Sequence, residues 1–113
     1  MLQTKLTTLN GKEELKNLIE KNEKVVVCCG RMGPMCIPVY DILDVFQEKY
    51  PDTQFRNMDF DTPDAAVIKG LPECRGFSGL PFTIYYRNGK VVKATTSIQT
   101  AKQIKDIMGE VFA

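Results

Sequence analysis

Five consecutive apolar residues, Val25-Val26-Val27-Cys28-Cys29, run into Gly30-Arg31-Met32-Gly33-Pro34-Met35-Cys36-Ile37-Pro38 and then into a helical pattern beginning near Val39. With Lys24 before it, this run without alternation predicts a strand from Lys24 to Cys29 covered on both faces, in the middle of a sheet layered between helices. The glycines and prolines end that strand, and the helix beyond them opens with unpaired backbone N–H groups. Cys36 falls at this junction, where those groups and the positive end of the helix dipole favour a thiolate. A redox nucleophile would be built in such a place. The second cysteine of a C-x-x-C pair is missing.

The chain has 113 residues, enough for one domain spanning 1–113 with a core that needs no disulfide staples. A net charge of +1 gives no electrostatic reason to expect a nucleic acid or an anionic membrane as partner. No apolar run is long enough to span a bilayer, and the first residues show no signal-peptide core, so a cytoplasmic protein with reduced thiols is expected. The chain contains no histidine, which removes the commonest general base and every Cys/His zinc site. Cys28 and Cys29 are neighbours on a strand, so their side chains point to opposite faces and cannot share one ion. Neither a metal nor another cofactor is expected.

Hydrophobic periodicity orders the rest. Gln3 to Leu9 predicts an opening strand. Asn10-Gly11-Lys12-Glu13 is close to a capping box, and Leu15, Leu18 and Ile19 form the stripe of a first helix. Val39, Ile42, Leu43 and Phe46 share one face of a second helix, which ends near Tyr50-Pro51. Thr53 to Asp59 alternates as a strand, and Thr62-Pro63-Asp64 opens a short helix to about Lys69. Gly70 to Gly79 reads as a loop carrying Cys74. Phe82 to Arg87 and Val91 to Thr95 flank Asn88-Gly89, a strong hairpin signal. Ser97 is expected to cap a last helix with the stripe Ile98, Ala101, Ile104, Ile107, Met108 and Val111. The order β-α-β-α-β-α-β-β-α implies an α/β protein, one central mixed β-sheet flanked by helices.

This order resembles the thioredoxin family over nearly the whole chain. The triple valine, Gly-Pro loop and helix are similar to the strand leading into the thioredoxin active site. Asn57-Met58-Asp59-Phe60-Asp61 is similar to the family's third strand. Gly79-Leu80-Pro81-Phe82-Thr83 followed by Tyr86-Arg87-Asn88-Gly89-Lys90 resembles its cis-proline loop, strand and turn, and is the most specific match. The resemblance implies a thioredoxin-like fold with a cis Leu80–Pro81 bond. It also implies a rim for protein partners or disulfide substrates at Met32, Gly33, Pro34, Met35, Gly79, Leu80 and Pro81.

The family's Trp-Cys-Gly-Pro-Cys motif is not kept. Matching Gly33-Pro34 to its Gly-Pro puts Met32 and Met35 at the two cysteine positions. Matching the buried face of the following helix puts Cys36 at the second cysteine and Gly33 at the first, and the burial pattern favours this register. Either way the attacking cysteine is absent. The Pro-Met-Cys run also resembles the loop of monothiol glutaredoxins, without the Gly-Phe-Ser that follows there.

Two functions follow from different classes. One is an atypical oxidoreductase, weak in dithiol activity, in which Cys36 exchanges disulfides on protein substrates and Cys74, Cys28 or an external thiol resolves the product. The other is a redox-silent protein-binding module. For the first, Cys36 is expected to alkylate fastest of the four thiols, Cys74 at an intermediate rate, and Cys28 and Cys29 slowly.

Overall fold

The computed structural model describes residues 4–113. Five strands form one sheet: β1 (Thr7–Leu9), β2 (Lys24–Gly30), β3 (Thr53–Asp59), β4 (Phe82–Arg87) and β5 (Lys90–Thr96). Their spatial order is β1-β3-β2-β4-β5, with β1, β3 and β2 parallel and β4 and β5 antiparallel to their neighbours. β2 is central, and every residue from Val25 to Gly30 is buried. That is why the sequence there does not alternate: each face of the strand meets a helical layer.

The helices are α1 (Lys12–Lys21), α2 (Ile37–Lys49), α3 (Ala66–Lys69) and α4 (Ala101–Val111). One core joins Val26, Cys28 and Tyr85 of the sheet to Val39, Leu43 and Phe46 of α2 and Ile104 and Met108 of α4. The other joins Val25, Val27, Cys29 and Ile84 to Leu15 of α1 and Ile68 of α3. Cys28 and Cys29 enter different cores, as their adjacency on a strand requires.

The ends of several elements differ from the sequence expectation. β1 begins at Thr7, Thr4 to Leu6 bend, and Gln3 lies outside the described residues. α1 is capped by Gly11 with no side-chain bond. Asn10 instead donates its backbone N–H to Glu14 at 2.8 Å, and Asp64 accepts from the Lys12 N–H at 3.2 Å. The last helix is capped by Thr100, not Ser97, because Thr100 and Gln103 complete a reciprocal capping box. Ser97 turns the chain in a left-handed conformation and donates its N–H to the Gly79 carbonyl, which leaves Ile98 exposed. Asn88 and Gly89 both have positive φ, as a two-residue hairpin requires. The loop from Gly70 contains a turn of 3-10 helix, Pro72–Cys74.

Candidate functional site

The site forms where β2 ends and the chain crosses to α2. Gly33 accepts from the N–H groups of both Cys36 (3.1 Å) and Ile37 (3.0 Å), so the helical turn already starts at Gly33. Pro38 sits in the first turn, where its missing N–H costs nothing. Cys36 is the cap residue, and its own carbonyl accepts from Val39 and Tyr40.

The Cys36 sulfur is held from several sides. The Arg31 backbone N–H donates to Sγ at 3.4 Å, and the Tyr40 hydroxyl donates to the Arg31 carbonyl at 3.1 Å. A Cβ built on Gly30 would lie 2.8 Å from Cys36 Sγ, 2.9 Å from the Tyr40 hydroxyl and 3.1 Å from Pro81 Cβ. Gly30 is therefore glycine because three groups, two from the start of α2 and one from the loop before β4, meet where its side chain would be. The Leu80–Pro81 bond is cis, and Pro81 lies against the same point as Cys36 Sγ.

Packing leaves Cys36 only 2% exposed. Gly33, one helical turn earlier, is its counterpart: a Cβ there would meet nothing within 4 Å. Met32 (39% exposed), Met35 (43%) and Ile37 (38%) form an uncovered apolar edge around the loop. Pro34 is also exposed, whereas Gly79 and Leu80 are half-buried and Pro81 is buried. The sheet ladders begin at Phe82, so the Leu80 backbone takes no part in them.

The Arg31 side chain turns away from Cys36 to the end of β3. It makes a bidentate bond to Asp61, with contacts of 2.7 to 3.1 Å, and its guanidinium lies 5.3 Å from the centre of the Phe60 ring. Lys69 approaches the same ring at 4.4 Å. The hydrogen bond from Arg31 holds the Asp61 carboxyl below the usual range, and the pair is exposed. Sequence reasoning missed the Tyr40 hydroxyl and this ion pair. Only the glycine closing an apolar strand hinted at the close approach at Gly30.

The other thiols do not gather at the loop. Cys28 packs in the same core as Cys36, and burial pushes its thiol well above the ordinary range. Burial pushes Cys29 up to about 12. Cys74, expected to be accessible and near the loop, is 4% exposed and packs on the opposite face of the sheet with Cys29, Phe82 and Tyr86. The 3-10 turn folds it inward, and burial raises its pKa as well. All four cysteines are free. Among the described residues, no three acidic or thiol side chains are grouped to hold a metal ion, and no helix is long and apolar enough to cross a membrane.

No protein-family model matches the chain, and no curated protein matches it in sequence. Solved structures match its fold. Fasciola hepatica thioredoxin aligns with a TM-score of 0.77 at 16% identity, covering 93% of this chain and 98% of that one. Oxidized mitochondrial thioredoxin 3 of Saccharomyces cerevisiae aligns with a TM-score of 0.75 at 22% identity, covering 94% and 95%. A chain from work on the thiol-resolving mechanism of yeast mitochondrial 1-Cys peroxiredoxin aligns with a TM-score of 0.76 at 19% identity, covering 95% and 96%. The mixed five-stranded sheet, its helical layers and the cis Leu80–Pro81 bond make this a thioredoxin-like fold.

Proposed function

We propose that this chain is a thioredoxin-fold protein-binding module with a degenerate active site. It holds an extended segment of a partner protein on the rim formed by Met32, Met35, Leu80 and Pro81. The observation that carries this reading is the contrast within one helical turn. The sulfur of Cys36 is covered, and the open position ahead of it is a glycine. Attack on a disulfide needs an accessible thiolate, and no cysteine offers one. Binding needs less. The exposed methionines supply adaptable apolar surface, and the Leu80 backbone, outside the ladders, is available for main-chain pairing with an extended segment.

A second reading keeps Cys36 as the exchanging thiol. It is favoured by the Arg31 N–H donated to Sγ and by the position of Cys36 at the start of α2. In that case Cys36 attacks a partner's disulfide, one sulfur leaves as thiolate, and a mixed disulfide remains until an external thiol releases it.

A reduced and carboxymethylated unfolded protein, which has no thiol or disulfide, separates the two readings. The module reading expects it to shift the amide resonances of Met32 to Ile37 and Gly79 to Phe82, with Met35→Asp weakening binding roughly tenfold. Binding confined to a disulfide-bearing version of the same probe would favour the exchange reading instead.

A further inference from the structure

The register across the sheet places Thr8, Asn57, Cys28, Thr83 and Thr95 in one transverse row. Thr8 pairs with Asn57, Asn57 with Cys28, Cys28 with Thr83, and Thr83 with Thr95. Paired residues point to the same face, and Cys28 faces the core under α2 and α4. The row therefore crosses all five strands beneath those helices. Its neighbour on that face, Phe55, Val26 and Tyr85, is aliphatic and aromatic. Every member of the row itself carries a hydroxyl, an amide or a thiol. It also runs under the loop: Gly30, two residues beyond Cys28 on the same face, is the point that Cys36 Sγ, Tyr40 and Pro81 surround.

The polar groups of this row are buried and poorly matched to one another. Asn57 and Thr83 are 0% exposed. Asn57 donates through Nδ2 to Thr4 Oγ1, while its Oδ1 accepts nothing among the described residues. The Thr83 hydroxyl lies against the Cys28 thiol and offsets part of the rise that burial causes there. Neither it nor the Thr95 hydroxyl has an oxygen or nitrogen partner, although the two residues stand opposite each other. The Tyr85 hydroxyl, two residues along β4 and fully buried, is also unpartnered. Among the described residues these four are the buried side-chain oxygens left unmet, and all of them belong to one face of the sheet.

An unmet buried oxygen is costly, and atoms unmet for no reason would be scattered over both cores. Inside proteins such groups are met by water, which bonds two to four polar atoms and stays out of apolar surroundings. We infer that internal water is bound along this row on both sides of Cys28. On the β3 side it donates to Asn57 Oδ1 and meets the Cys28 thiol. On the β4 side it bridges the hydroxyls of Thr83 and Thr95, whose Cβ atoms as a cross-strand pair stand about 5 Å apart. Asn57 and Thr83 are two strand spacings apart, ~9.5 Å, which one water cannot span, so at least two molecules are needed. The hydration puts a polar layer under the Cys36 loop and holds under either reading of the rim.

Oxygen-17 relaxation dispersion on the full chain counts water molecules held longer than nanoseconds, without interference from exchanging hydroxyl protons. Wild type should show two or more. Thr83→Val, which keeps the shape and removes the hydroxyl, should lose about one, and Asn57→Leu should lose another. The denaturation midpoint separates the same alternatives. A hydroxyl that serves bound water makes Thr83→Val less stable, whereas an unmet hydroxyl makes it more stable. Thr83→Val and Thr95→Val keep the test valid if Asn57→Leu does not fold. The absence of long-lived water, an unchanged count in the threonine variants, or a raised midpoint in Thr83→Val would each overturn the inference.

Discussion

Two segments meet at the Cys36 sulfur, and they resemble the thioredoxin pattern to different degrees. The segment from Gly79 to Lys90 keeps the loop, the cis Leu80–Pro81 bond, the strand and the Asn-Gly turn. The segment from Gly30 to Cys36 keeps only the backbone path, with glycine where a side chain would have to enter a crowded point and glycine again where one would be free. Scaffold and chemistry are therefore separable here. The strand and proline loop follow from packing and hydrogen bonding, with β4 paired on both sides. A side chain at position 33 would meet no neighbour, so the fold does not depend on what stands there.

The largest effect expected from this contrast is a gain. Gly33→Cys puts a thiol into open space one helical turn before Cys36, a spacing at which side chains are neighbours. Under oxidising conditions it should form a disulfide with Cys36, seen as loss of two titratable thiols. Protein-disulfide reduction driven by dithiothreitol should rise on the order of a hundredfold over wild type, because release of the mixed disulfide becomes intramolecular. A variant that folds but gains nothing would mean that the loop no longer presents position 33 to substrate.

Gly30 should behave in the opposite way. Gly30→Val forces a side chain against Cys36 Sγ, Tyr40 and Pro81, and chemical unfolding should show a loss of about 2–3 kcal/mol. Gly33→Ala, measured alongside it, should stay within about 0.5 kcal/mol of wild type. Equal costs at the two glycines would remove the distinction between a packed and an open position.

The buried thiols predict a smaller, pH-dependent effect. Cys28, Cys29 and Cys74 have raised pKa values in the folded chain, Cys29 at about 12 against an ordinary 9.0. A raised folded value means that the stability contribution is complete below the unfolded pKa and is lost as pH rises towards the folded one. Unfolding free energy should therefore be flat with respect to these groups through neutral pH and fall between about pH 9 and 12. Cys29→Ala should reduce that slope. An unchanged slope would place the thiol of Cys29 in a wetter setting than its packing indicates.

The sequence revealed the scaffold better than the site. Lys24 to Cys29, Thr53 to Asp59 and Phe82 to Arg87 are strands at or within one residue of their expected bounds, because burial and turn chemistry act locally. Ser97 misleads because it precedes the apolar Ile98 as a helix-capping residue would. The reciprocal Thr100–Gln103 pair was the stronger signal, and Ser97 answers to a carbonyl 18 positions earlier, at Gly79. Cys74 misled for a related reason. A loop rich in glycine and proline reads as exposed, yet a single 3-10 turn folded it onto Phe82 and Tyr86. The Arg31–Asp61 pair spans 30 residues, and no local pattern announces it.

The central claim is that Cys36 sits in the right place without being an available nucleophile. Native-state alkylation near neutral pH, with each of the four thiols quantified by mass spectrometry, measures this directly. Attack on a sulfur in a residue 2% exposed must wait for local opening, so Cys36 should react at least about a hundredfold more slowly than a free thiol. Its rate should fall among those of Cys28, Cys29 and Cys74, and all four should become equally fast in denaturant. A fast phase that belongs to Cys36 alone and disappears in Cys36→Ser would contradict the module reading and restore single-thiol exchange.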